Sequence, residues 1–212
     1  MFLSISAAPK PITDIVSDVI FMMDSSIDVT QEDYVRQKTF IKDMARYLNV
    51  SPGRSRAAVI TYGSNAYLLF KFGSYGTLPT FDKVVDMAPF VGGERRMDLA
   101  LEDAGLLLVE ARPYKTKWVI LLTAGPHPTT PNVTSLLEAS KSVRELSDKV
   151  YVVAIGNKVK IRELRDVVAD PKDIFPVLSF QSLKPQGKLI AFAVVKGCGK
   201  YCLSVIVMKA KG

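Results

Sequence analysis

Hydrophobic positions fall in two kinds of run along this chain. Val19–Met23 (VIFMM) and Trp118–Leu122 (WVILL) are continuous apolar stretches, the pattern of strands buried on both faces. Ala57–Tyr62, Tyr67–Phe72, Tyr151–Ile155 and Phe175–Leu178 read as further strands, and Gly63–Ala66 is short enough to join the first two as a hairpin. Helical spacing separates them. Over Gln31–Leu48, residues Tyr34, Val35, Phe40, Ile41, Met44, Ala45 and Leu48 form one apolar stripe, with Thr30 as N-cap and Asp33 three residues on. Phe81–Met87, Asp98–Glu110, Asn132–Asp148, Ile161–Val168 and Leu183–Val195 predict further helices. Asp98 is a suitable cap for its own helix, while Pro185 and Gly187 weaken the first turn of the last one. Strand–helix alternation with continuous apolar strands predicts a doubly wound α/β fold: a mostly parallel central sheet with one antiparallel edge strand, and helices on both faces.

The chain has 212 residues, 48% of them hydrophobic and 23% charged, enough for one domain with a full core. No apolar run approaches the ~18 residues that cross a bilayer, so membrane insertion is not expected. Met1–Pro11 lacks the basic start and full apolar core of a signal peptide. The expected organisation is a lead-in over 1–15, the domain over 16–196 and a basic, cysteine-containing tail over 197–212. Net charge is +7, yet Ile174–Gly212 holds six lysines and no carboxylate, which leaves a nearly neutral body. Nucleic-acid binding would want a basic, aromatic-interleaved stripe on that body, so it is not expected. The tail suits either an anionic glycan or simple solubility.

The single histidine, His127, rules out His-rich zinc sites, and its Pro- and Thr-rich surroundings predict a surface turn. Tyr75 and Tyr114 lie in predicted loops and are better contact candidates than Tyr34, Tyr62, Tyr67, Phe70 or Phe72, which read as packing. Cys198 and Cys202 are spaced C-x3-C, which matches neither a redox pair nor half of a zinc knuckle; local pairing, interchain pairing and free thiols all stay open. Asn49-Val50-Ser51 and Asn132-Val133-Thr134 are acceptable N-glycosylation triplets.

Ligands of an open parallel sheet bind beyond the carboxyl ends of its strands, where the strand order reverses. Three loops qualify: Asp24-Ser25-Ser26-Ile27-Asp28, Gly92–Asp98, and Thr123-Ala124-Gly125-Pro126-His127. In the first, Asp24, Ser26 and Asp28 present alternate hard oxygens, a set suited to Mg²⁺ or Mn²⁺. The same residues serve equally well as local caps. No G-x-G-x-x-G or Walker pattern follows any predicted strand.

Read in order, DVIFMMDSS (Asp18–Ser26), PGRSRAAVITYG (Pro52–Gly63), Gly92-Gly93, RPYKTKWVILLTAG (Arg112–Gly125) and YVVAIG (Tyr151–Gly156) resemble a von Willebrand factor type A domain. That family is an adhesion and matrix module, and the resemblance covers roughly residues 16–183. It implies a metal-ion-dependent adhesion site built from Asp-x-Ser-x-Ser, a threonine and an aspartate. Carried onto this chain, Asp24 and Ser26 match, Asp28 replaces the second serine, Arg95 stands at the threonine position and Ala124 at the aspartate. A guanidinium is permanently positive and accepts no hydrogen bonds, so an inward Arg95 is expected to pair with Asp24 or Asp28 in place of a cation.

The expected function is a non-enzymatic interaction module of an extracellular matrix or adhesive assembly, secreted, with collagen or a similar matrix protein as partner and no firmly bound metal. Arg54, Arg56, Glu94, Arg96, Lys184 and Lys188 are candidate contacts. Alternatives are metal-dependent adhesion through weak Mg²⁺ or Mn²⁺ at Asp24/Ser26/Asp28, and an intracellular assembly module of the same fold. A hydrolase reading fits poorly, because no general base accompanies Asp24.

Overall fold

A computed structural model describes residues 10–197; Cys198, Cys202 and the apolar run Leu203–Met208 lie outside the described residues. The strands are β1 Ser17–Asp24, β2 Arg56–Tyr62, β3 Ala66–Phe70, β4 Thr116–Thr123, β5 Lys149–Ile155 and β6 Ile174–Val177. They form one sheet in the order β3-β2-β1-β4-β5-β6, parallel throughout except for the β2–β3 hairpin at one edge. The helices are α1 Gln31–Tyr47, α2 Leu78–Asp86, α3 Met97–Val109, α4 Leu136–Ala139, α5 Lys141–Leu146, α6 Ile161–Leu164 and α7 Leu183–Lys196.

Two-residue periodicity explains why β1 is apolar throughout its middle. Val19, Phe21 and Met23 enter the core beneath α1 and α7, while Ile20 and Met22 enter the core beneath α3. All five are fully buried. β1 also has β2 on one side and β4 on the other, so the strand order reverses at β1 and leaves a crevice beyond Asp24.

Local chemistry accounts for the helix ends. Thr30 Oγ1 accepts the Asp33 N–H at 3.1 Å, and Asn49 closes α1 in the left-handed region with φ 58°. Thr77 caps α2, which therefore begins three residues before the predicted Phe81. The predicted helix 132–148 is two short helices starting at Leu136. Ser135 caps the first, and Ser140 Oγ donates to Leu136 O and Asp166 O where it stops. The helix predicted over Ile161–Val168 is only Ile161–Leu164. Pro185 falls in the first turn of α7, where its missing N–H is not needed, and Gly187 is buried where α7 faces Phe40 and Tyr47 of α1.

At the opposite end of the sheet, the fully buried Asp18 receives Nε of Arg56 and of Arg112 on Oδ1, each at 2.9 Å, and the Arg112 backbone N–H on Oδ2 at 2.7 Å. Burial pushes the Asp18 carboxyl up, but hydrogen bonds from Arg56 and Arg112 outweigh it and hold it below the usual range. Asp98 follows the same balance, with burial opposed by Arg96. A lowered folded pKa stabilises above the unfolded value near 3.8 and loses that contribution as pH falls through the folded one. Urea unfolding is therefore expected to show a flat stability plateau above about pH 5 and a decline below about pH 4. Stability that rises on acidification through that window would contradict the assignment.

Candidate functional site

The crevice is organised around the backbone and carboxylate of Asp24. On the backbone side, Gln37 of α1 accepts the Asp24 N–H at 3.0 Å and donates Nε2 to the Asp24 carbonyl at 2.6 Å, which fixes the strand end. On the carboxylate side, Oδ1 accepts the Ser26 N–H at 3.0 Å, and Oδ2 accepts the Ala124 N–H at 2.8 Å and Arg95 Nε at 2.7 Å. Both Asp24 and Arg95 are buried. Arg95 Nη2 lies 3.4 Å from Asp28 Oδ2, and Nη1 lies 3.3 Å from the Pro126 carbonyl. Asp28 in turn meets Lys158 Nζ at 3.1 Å.

Two carboxylates and two cations thus meet within one hydrogen-bonded set. The hydrogen bond from Lys158, opposed by slight burial and supported by Arg95, holds the Asp28 carboxyl below its ordinary range. Burial works against the Arg95 charge, but Asp24 outweighs it and raises the guanidinium further. The Ser26 hydroxyl is buried and makes no hydrogen bond. No group of three His, Cys, Asp or Glu side chains is placed to hold a metal among the described residues.

One glycine makes room for the Arg95 side chain and another for the loop that carries it. A Cβ on Gly125 would stand 2.3 Å from Arg95 Nη1, and one on Gly63 would stand 2.2 Å from the Gly92 carbonyl. The second contact is backbone to backbone. It presses the β2–β3 turn onto the arginine loop, reinforced by Ser64 N–H to Gly92 O at 2.8 Å and Arg96 N–H to Gly63 O at 2.9 Å. Gly63→Ala is therefore expected to cost about 1–3 kcal/mol, read as a lower urea midpoint. An unchanged midpoint would show that the loop yields freely.

Several expectations need correction. His127 is not a surface turn: its ring is buried, with Nε2 3.0 Å from Thr134 O and Nδ1 3.4 Å from Arg95 O. Asp98 is not the cap of α3, which starts at Met97 after Arg96. It pairs with Arg96 at 2.7 Å and accepts the Thr134 N–H at 3.2 Å, tying the second loop to the third. Tyr75 is buried, its hydroxyl accepting the Ala57 N–H, and burial pushes it up to about 12. Tyr114 is exposed, and so is Tyr67, for which core or half-core packing is expected from the sequence.

Glu94 is exposed at the crevice, and Lys184 and Lys188 are exposed on α7. Arg54 and Arg56 stand at the Asp18 end, away from the crevice, with Arg56 engaged by Asp18. Asn132 is exposed in the third loop, whereas Asn49 is half-buried. Gln37 and Lys158 were missed. Gln37 carried a signal, being a polar residue among the buried Tyr34, Ile41 and Met44.

The von Willebrand factor type A domain family matches residues 18–187. The chain belongs to that family. Among its relatives, cuticlin-6 of Caenorhabditis elegans is 25% identical over 169 residues, spanning 78% of this chain and 28% of the cuticlin. The human collagen alpha-6(VI) chain is 24% identical, covering 79% and 7%. Human matrilin-1 is 24% identical, covering 92% and 40%. The chain thus spans less than half the length of each of these relatives.

Among solved structures, proximal thread matrix protein 1 of the mussel byssus superposes with a TM-score of 0.76 at 21% identity, over 84% of this chain and 48% of its own. Another structure of the mussel protein is described with a zinc-occupied MIDAS motif. For this von Willebrand factor type A domain, that likeness establishes the fold. Its own crevice places an arginine against the first aspartate.

Proposed function

We propose that this domain is a non-enzymatic protein-interaction module of a secreted matrix or adhesive assembly, its crevice closed by an internal ion-pair cluster instead of a firmly bound divalent cation. The observation that carries the proposal is the 2.7 Å contact between Arg95 Nε and Asp24 Oδ2 inside a buried pocket. The Asp24 oxygen nearest the guanidinium is already shared with the Ala124 N–H. A divalent ion there would face a fixed positive charge without the third-loop carboxylate that Ala124 lacks. Kinship with collagen VI, matrilin and cuticlin supports a matrix role.

With no cation to bridge a ligand, the contacts come from exposed side chains of the rim, where Ile27, Glu94, Lys158 and Leu178 stand in strand-end loops. An apolar and mixed-charge surface of this kind suits a fibrous protein such as collagen. Solid-phase binding of the chain to fibrillar collagen, with and without chelator, tests the reading. Saturable binding unchanged by chelator is expected; complete loss on chelation would overturn the metal-free account, and no binding in either condition would overturn collagen as partner. The metal-dependent alternative draws on one observation, the unpartnered Ser26 hydroxyl, and requires Arg95 to leave.

A further inference from the structure

Helix α3 and the residue after it, 97–110, carry four carboxylates and no basic residue, in a chain whose net charge is +7. Asp98 and Glu110 are taken up by Arg96 and Lys71. Glu102 makes no ion pair among the described residues, and it sits beside Asp103, whose carboxyl is pushed up by burial and then by Glu102 itself. The outer face of α3 is also apolar: Leu106 is 71% exposed and Val109 73% exposed.

Glu102, Leu106 and Val109 line a groove of about 400 Å³ between α3 and the α4–α5 pair, together with Glu138 and Leu146. Its walls are close, since a Cβ on Gly105 would stand 3.0 Å from Ser142 Cβ. The groove therefore calls for an apolar segment followed by cations.

The chain contains such a segment outside the described residues. Leu203-Ser204-Val205-Ile206-Val207-Met208 is followed by Lys209 and Lys211, with no carboxylate anywhere from Ile174 onward. We propose that the groove between α3 and α5 receives residues 203–211 of a second copy of this chain, apolar side chains against Leu106, Val109 and Leu146, and lysines against Glu102 and Glu138.

Charge and exposed apolar surface together select this groove. The groove formed by Pro11–Ile15 with Phe192 and Val195 includes Lys196 beside Asp14, and the one beside Val35 and Phe180 includes Arg36 and Lys184. The groove from His127 to Leu136 also holds two carboxylates, Glu163 and Asp166, but Glu163 already accepts the His127 N–H and no exposed large apolar side chain lines it. Geometry selects the second copy. α7 packs on the α1 side of the sheet and α3 on the other, so a chain's own segment would have to round the sheet. Only five residues separate Gly197 from Leu203, a span of about 20 Å when fully extended. Such an exchange closes as a dimer when two copies insert their segments reciprocally, and propagates into chains of molecules when they do not.

The test uses the full chain under reducing conditions, which removes any cysteine cross-link. A photo-reactive benzoylphenylalanine is placed at the exposed Leu106, and in a second protein at Phe192. Irradiation of the Leu106 probe is expected to give covalent dimers and higher species whose cross-linked peptides map to 203–209. K209E/K211E should reduce that yield at least fivefold, and combining it with E102K/E138K should restore it. The Phe192 probe should give none. Sedimentation velocity of the unlabelled proteins should show the same order of association.

Cross-links confined to one chain would make the occupant that chain's own segment and overturn the proposal. So would cross-links to any other segment, efficient capture at Phe192, or a strictly monomeric protein insensitive to the charge reversals. No matrix ligand enters the experiment, so its outcome is independent of the collagen-binding reading.

Discussion

Arg95→Ala is expected to destabilise the domain by about 3 kcal/mol, because it leaves the buried Asp24 carboxylate without its charged partner. At this size a loss of that order lowers Tm by roughly 6–12 °C. The neighbouring backbone donors, Ser26 and Ala124, remain, so the carboxylate is under-compensated and not orphaned. Removing the guanidinium also frees the face of Asp24 and Asp28 that a cation would occupy. Added Mg²⁺ or Mn²⁺ should then raise the Tm of Arg95→Ala while leaving the wild type unmoved, since only a state that binds the ion gains from it. The combined substitution Arg95→Thr with Ala124→Asp restores the missing donors and should bind Mn²⁺ with unit stoichiometry. Scanning calorimetry at several metal concentrations checks all three proteins. A wild type stabilised as strongly as Arg95→Ala would sink the explanation.

Asp18→Asn is expected to be as damaging from the other end of the sheet, at about 3 kcal/mol. The substitution keeps the shape of the side chain but removes the charge that Arg56 and Arg112 share. It also puts an amide NH₂ where one oxygen now accepts two donors. Those arginines are partly exposed and can recover water, which keeps the cost below that of a fully buried triad. Urea denaturation of wild type and variant reads the difference directly. The variant should also lose part of the acid dependence, because a group that no longer titrates no longer couples folding to protons. A variant within about 0.5 kcal/mol of wild type would mean that the buried carboxylate contributes nothing beyond its shape.

The sheet was legible because β1, β4 and β5 are buried on both faces and so read as unbroken apolar runs. The start of α1 was legible at its Thr30 cap, whereas α2 begins at its Thr77 cap three residues before the apolar Phe81 that marked it, and α4 was misplaced because the loop before it carries structure of its own. The third loop shows why. Residues 124–135 have helix-compatible spacing near their end, but His127 and Thr134 are held by Arg95, Asp98 and Glu163, three contacts distant in sequence. That tertiary network delays the helix to Leu136 and buries the histidine.

In the crevice, the two charges that face each other could be proposed from their places in the motif. Gln37 could have been found as a polar residue on an apolar stripe. Lys158 could not, since nothing in the sequence near it marks the 3.1 Å approach to Asp28.

If Arg95 stands where a cation would bind, the wild-type chain takes up no divalent metal. Isothermal titration with Mg²⁺ and with Mn²⁺ decides the point. Heats no larger than dilution up to millimolar metal are expected, and a one-to-one isotherm at micromolar concentration would contradict the account.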